Sequence, residues 1–127
     1  MTRCVAALLL ALVLAGSALA QPVQRNFPVT ALRGEISFGQ PPEVLLNGQP
    51  ARLAPGARIR GLNNLLVMSG ALAGQRAVVN YTLDPLGLVL DAWILTDAER
   101  KKQPWPTNAK DAKTWSFDPI AQVWTKP

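Results

Sequence analysis

The chain has 127 residues, of which 49% are hydrophobic and only 17% charged; 13 Lys and Arg against 8 Asp and Glu give a net charge of +5. It contains no histidine, and its one cysteine is Cys4. Catalytic triads and dyads built on His or Cys are therefore excluded beyond the first residues, as are zinc and haem sites needing those ligands.

The N-terminus carries the clearest address in the chain. Arg3 supplies a positive start, Val5 to Ala15 an apolar run, and Ala18-Leu19-Ala20 a small-x-small cleavage pattern. The run is shorter than the ~20 residues needed to cross a bilayer, and no later stretch reads as a transmembrane segment. Residues 1–20 thus read as a secretory leader removed near Ala20–Gln21. A lipoprotein would carry its cysteine at the cleavage point, where Gln21 stands, so Cys4 leaves with the leader. The expected product is a periplasmic or secreted chain of 107 residues at +4, a size suited to one domain, with no disulfide to help it fold.

Residues 21–31 form a polar, proline-containing lead-in, flexible at its start. The barrel domain is expected over 32–103. In the first strand Leu32, Gly34, Ile36 and Phe38 alternate with Arg33, Glu35 and Ser37, giving one buried and one wet face. Pro41-Pro42 stops that strand. Asn47-Gly48 follows, the pair that tolerates the two positive φ angles of a type I′ hairpin turn. Pairing across it sets Leu46 opposite Gln49, Leu45 opposite Pro50 and Glu43 opposite Arg52. In that register the position of Pro50 faces outward and has no N–H to offer, so the outer edge is open there.

Pro55-Gly56 reads as a type II turn into Ala57 to Gly61, with Ile59 inward and Arg58 and Arg60 outward. Leu65 to Leu72 is apolar on both faces, as in a central or curled strand. Strands follow over Arg76 to Leu83 and Leu88 to Leu95, joined by the Asp84-Pro85-Leu86-Gly87 turn. Their lack of a polar face calls for cover on both sides, from barrel closure or from the tail. Thr96 and Glu99 form a capping box for a short helix near 97–103. The tail, 104–127, has no clean period and holds three of the four tryptophans.

Few residues are fit to carry chemistry. Arg33, Arg52, Arg58, Arg60 and Arg76 fall on outward strand positions and would bind an anion if gathered on one face. Trp105, Trp115 and Trp124 are candidate anchors for a partner, or a cover for the barrel's apolar outside. Asp84 and Asp91, with Tyr81, are the one plausible acid–base set, for a small hydrolase. Asp84 is otherwise explained as a turn cap and Asp91 as a solvated strand residue. Strand aromatics are too few for base stacking, so nucleic acid is not expected as a partner. No calcium loop or phosphate-cradling glycine motif is present, and no metal or cofactor is expected.

The stretch Glu43 to Leu95, with Val44-Leu45-Leu46-Asn47-Gly48-Gln49, Pro55-Gly56-Ala57-Arg58-Ile59-Arg60-Gly61 and Val79-Asn80-Tyr81-Thr82, resembles small uncharacterised exported proteins of Gram-negative bacteria. It is also broadly similar to OB-like small β-barrel domains. These are turn-and-strand motifs, so the resemblance implies a barrel and a ligand-binding strand face but transfers no site residue. The reading is a mainly β chain: a small antiparallel barrel or curled meander of about five to seven strands, one short helix and an aromatic, proline-containing tail. Its expected role is non-catalytic. It would bind an anionic envelope component or another envelope protein, through Arg52, Arg58, Arg60 and Arg76 or through Trp105, Trp115 and Trp124. A third possibility is a structural or assembly protein pairing through the sheet edge or the tail.

Overall fold

The computed structural model describes residues 24–127. The leader, Cys4 and the cleavage point lie outside the described residues. Five strands build the body: β1 (Leu32–Phe38), β2 (Glu43–Leu46), β3 (Gln49–Arg60), β4 (Arg76–Leu83) and β5 (Val89–Ile94). They close into a barrel in the order β1-β2-β3-β5-β4, with β4 returning to β1 from Leu32↔Tyr81 to Ser37↔Arg76.

The chain is mainly β and barrel-shaped, as its alternation implies, but one seam is not antiparallel. β3 and β5 pair in parallel. After β3 the chain crosses the barrel and comes back as β4 beside β1, so the following antiparallel β5 meets the free side of β3 running in the same direction. Pairing order, unlike periodicity, is a long-range property.

The β2–β3 hairpin follows the register set by Asn47-Gly48, with Leu46↔Gln49, Leu45↔Pro50 and Glu43↔Arg52. Asn47 and Gly48 both have positive φ, at 53° and 79°. The side of Pro50 facing away from β2 has no strand partner among the described residues, because β3 first meets β5 at Leu53↔Val89. Pro55-Gly56 does not end a strand. It is a bend inside the 12-residue β3, where the register with β5 jumps between Leu53 and Arg58 and Gly56 takes φ 76°. The irregularity lets one strand leave β2 and join β5 while staying continuous.

The barrel interior is filled from every strand by Leu32, Ile36, Phe38, Val44, Leu53, Ile59, Val79, Tyr81, Val89 and Ala92, all buried. Gly34 lies in the inward row of β1. A Cβ there would stand 2.8 Å from Asn47 Oδ1 and 3.0 Å from Tyr81 Cε1, so the close approach needs glycine.

Residues 65–72 do not form the expected strand. They belong to a loop that touches β3 through a single bridge, Arg60↔Leu66, and then makes a 3₁₀ turn at Ser69–Leu72. β5 holds one side of the neighbouring β3 segment at Arg58–Arg60, and on the other side the loop bonds only through Val67 N to Ile59 O and Gly61 N to Leu65 O before β3 ends at Arg60. Leu72 is buried and Val67 packs against the barrel core, while Leu62, Leu65, Leu66 and Met68 are exposed.

The capping box at Thr96 and Glu99 opens α1 (Asp97–Arg100), which ends sooner than the expected 103. The tail is more regular than its sequence suggests. It folds into α2 (Ala109–Thr114), N-capped by Asn108, and a hairpin of β6 (Ser116–Asp118) and β7 (Val123–Thr125). A second apolar core forms outside the barrel from Phe27, Ala31, Leu95, Trp105 and Trp124, against Val78 and Trp93. Phe27 and Ala31 tie the described part of the lead-in to this core, and Arg25 is buried as well; the start of the lead-in, expected to be flexible, lies outside the described residues.

Candidate functional site

The strand arginines do not share a free face. Arg52 lies 3.1 Å from Glu43 on the β2–β3 seam, and Arg76 lies 3.5 Å from Glu35 on the β1–β4 seam. Arg58 lies 2.9 Å from Asp91 on the β3–β5 seam. Three seams around the barrel thus each hold a neutralised pair. Arg60 alone of the four has no carboxylate within salt-bridge distance among the described residues. Exposed pairs of this kind contribute about 0–1 kcal/mol each.

The tryptophans are not a free contact surface either. Trp105 and Trp124 are 5% and 2% exposed, and their rings meet edge-to-face with centroids 6.1 Å apart. Trp105 Nε1 donates to Ala31 O at 3.0 Å. Trp115, at the end of α2, is half-buried beneath the Lys126 ammonium, 5.4 Å from its ring centre.

Asp84, Asp91 and Tyr81 do not converge. Asp84 Oδ1 accepts the Leu86 and Leu88 amides at 2.9 Å and so closes the β4–β5 turn. Asp91 takes Arg58 on one oxygen and the Thr82 hydroxyl, at 3.0 Å, on the other. Tyr81 points into the barrel, and burial pushes its phenol up from the ordinary value.

The concave site that does gather polar groups was not visible in the sequence. A cleft of about 200 Å³ opens between residues 24–27, α1 and the start of the tail, lined by Arg25, Phe27, Arg33, Glu99, Lys102 and Trp105 among others. Arg25 enters it from the N-terminal segment. Its Nε donates to Glu99 Oε2 at 2.9 Å, Nη1 to Gly61 O at 2.9 Å and Nη2 to Ile94 O at 2.7 Å. Glu99 also accepts the Thr96 amide, so one carboxylate caps α1 and holds the N-terminal segment in place.

Arg33 reaches the cleft from the outer face of β1. Its Nε donates to Asn80 Oδ1 at 3.1 Å, and its Nη groups donate to the carbonyls of Lys102, at 2.6 Å, and Glu99, at 3.1 Å. Those carbonyls belong to the last turn of α1 and to a residue two positions beyond its end, where a cation is favoured. Its guanidinium stacks 4.9 Å from the Trp105 ring centre, and Arg25 stands 5.6 Å from that of Phe27. Burial lowers the Arg33 pKa to about 10 against an opposing pull from Glu99, so it stays charged at neutral pH.

Glu99 feels two opposed influences. Burial raises its pKa, but hydrogen bonds from Arg25 and Thr96 and the charge of Arg25 outweigh that and hold it below 4.5. Three cations, Arg25, Arg33 and Lys102, therefore face one ionised carboxylate beside two aromatic rings. That excess of positive charge suits an anionic group. Both guanidiniums also clasp the covering segments to the barrel. The capping box was the sequence signal for Glu99; nothing local marks Arg25 as its partner.

Among the described residues no cluster of three or more His, Cys, Asp or Glu is placed to hold a metal, and no helix is long and apolar enough to cross a membrane. Compared with protein families, curated proteins and solved structures, the chain matches none.

Proposed function

We propose that this chain is an exported, non-catalytic binding or accessory module of the bacterial envelope, built on an OB-like barrel. Its ligand contact lies at the cleft of Arg25, Arg33 and Lys102, not on Arg52, Arg58, Arg60 and Arg76. One observation carries the reading: in this cleft three cations meet a single carboxylate, whereas Arg52, Arg58 and Arg76 are each paired one to one. The ligand chemistry is an anionic group, carboxylate or phosphate.

The separation of Asp84, Asp91 and Tyr81 supports the non-catalytic role over a carboxylate hydrolase. Calorimetric titration with soluble anionic cell-wall fragments, at low and high ionic strength, tests the proposal. Binding should be salt-sensitive and should weaken about tenfold in Lys102→Glu, a half-buried position whose ammonium makes one hydrogen bond, to Ala121 O. Absence of binding at low ionic strength, or equal binding by the variant, would remove the cleft as the contact point.

A further inference from the structure

The β3–β4 loop presents a second surface, remote in chemistry from the cleft. Leu62, Leu65, Leu66 and Met68 are 60%, 64%, 64% and 79% exposed, four large aliphatic side chains within seven residues. Soluble proteins seldom group such side chains in the open without a use for them.

The loop is held rather than loose. Gly61 N donates to Leu65 O at 2.9 Å, Asn64 N to Gly61 O at 2.9 Å, and Val67 N to Ile59 O at 2.8 Å. The Asn63 side chain accepts the Leu65 amide at 3.1 Å, and Arg25 takes the Gly61 carbonyl from the barrel side. A Cβ on Gly61 would stand 3.2 Å from Val67 Cγ2, so the loop neck is packed tight. These bonds fix the neck of the loop, so its aliphatic side chains are presented from a set backbone, while the polar groups at the tip stay open to the hydrated headgroup layer where an interfacial anchor lies.

Charge selects the medium. From Ile59 to Leu83 the chain contains no Asp or Glu, and its only charges are Arg60 and Arg76. Arg60 stands at the base of the loop, bridged to Leu66, with no carboxylate partner among the described residues. Aliphatic side chains at a tip, a cation at its base and no acid in the loop itself match the layering of an anionic lipid surface: acyl boundary inside, phosphate outside.

We infer that the loop 61–68 is a membrane-surface anchor, with Leu62, Leu65, Leu66 and Met68 seated at the acyl boundary of an anionic bilayer and Arg60 at the phosphate level. The anchor and the cleft use different residues, so either fails without the other.

The test compares the purified full chain with Leu65→Ser/Met68→Ser and with Arg60→Gln. The readout is co-sedimentation with vesicles of phosphatidylcholine alone or mixed with phosphatidylglycerol. All three proteins share one N-terminus, so differences between them belong to the loop. The wild type should partition onto the mixed vesicles, the double variant at least tenfold less, and Arg60→Gln several-fold less, with little binding to phosphatidylcholine alone. Thermal unfolding should be unchanged in the variants, since the replaced side chains are exposed or unpaired.

If a variant fails to fold, Met68→Cys in a Cys4→Ser background, labelled with an environment-sensitive dye, gives an independent reading: emission should rise with the mixed vesicles. Equal sedimentation of wild type and variants overturns the anchor. So does self-association that the variants abolish while vesicle binding stays unchanged, which would assign the loop to a second copy of the chain. Unchanged dye emission on adding mixed vesicles likewise overturns it.

Discussion

Arg25→Met should be among the most damaging single substitutions that leave the barrel interior untouched. Arg25 and Glu99 have side chains only 5% and 13% exposed, so the pair sits where solvent gives little relief. Removing the guanidinium leaves an ionised carboxylate without its partner and takes the donor away from Gly61 O and Ile94 O. Breaking a buried pair from one side costs about 3–5 kcal/mol. That is a large part of the 5–15 kcal/mol that holds a domain of this size folded.

Glu99→Gln keeps the capping-box acceptor for the Thr96 amide while removing the charge, so it leaves Arg25 as the unpaired member. Urea unfolding of the wild type, both single variants and the double variant gives the coupling energy directly. The double variant should be less destabilised than the sum of the two singles by at least about 1 kcal/mol. Additive singles, or an Arg25→Met cost below about 1 kcal/mol, would refute the view that this pair fastens the N-terminal segment to the barrel.

Three further outcomes are expected. Because its folded pKa is depressed, Glu99 adds stability above its unfolded value, and that stability is lost as pH falls through the folded one; unfolding midpoints should drop below about pH 4.5 in the wild type and less steeply in Glu99→Gln. Trp105→Ala should cost about 3–5 kcal/mol by emptying the second core and freeing the Ala31 carbonyl, read by chemical denaturation. Gly34→Ala should lower the thermal midpoint by several degrees, since Asn47 and Tyr81 must both move, whereas Arg52→Ala should change it little.

What could be read from the sequence was what neighbours determine. Asn47-Gly48 set the hairpin register, Thr96 and Glu99 set a helix start, and alternation from Leu32 to Phe38 set which side of β1 faces inward. The strands flanking Asp84 to Gly87 were legible for the same reason. What depends on distant partners was not. The parallel β3–β5 seam follows from where β4 lands, and Pro55-Gly56 looks the same locally whether the chain turns back or bends onward.

The run Leu65 to Leu72 misled because apolarity does not report how far a partner strand runs alongside, and β3 ends at Arg60. The candidate cleft was hidden most completely. Its ion pair joins residues 74 positions apart, and its arginines resemble any polar side chains flanking a barrel. The expected basic face dissolved because each of Arg52, Arg58 and Arg76 met a carboxylate on the neighbouring strand, a pairing that for Glu35 and Asp91 needed the barrel order to be known.

The two ends of the described chain are buckled together. The Gln122 side chain accepts the Phe27 amide at 2.8 Å across 95 residues of sequence, and beside it Trp105 ties down Ala31. A fastening with such a long reach cannot close until the chain has been delivered as far as Gln122. The barrel strands can meet earlier, but the outer jacket waits for this residue, so a nascent chain stopped short of Gln122 would be left with its flank undressed.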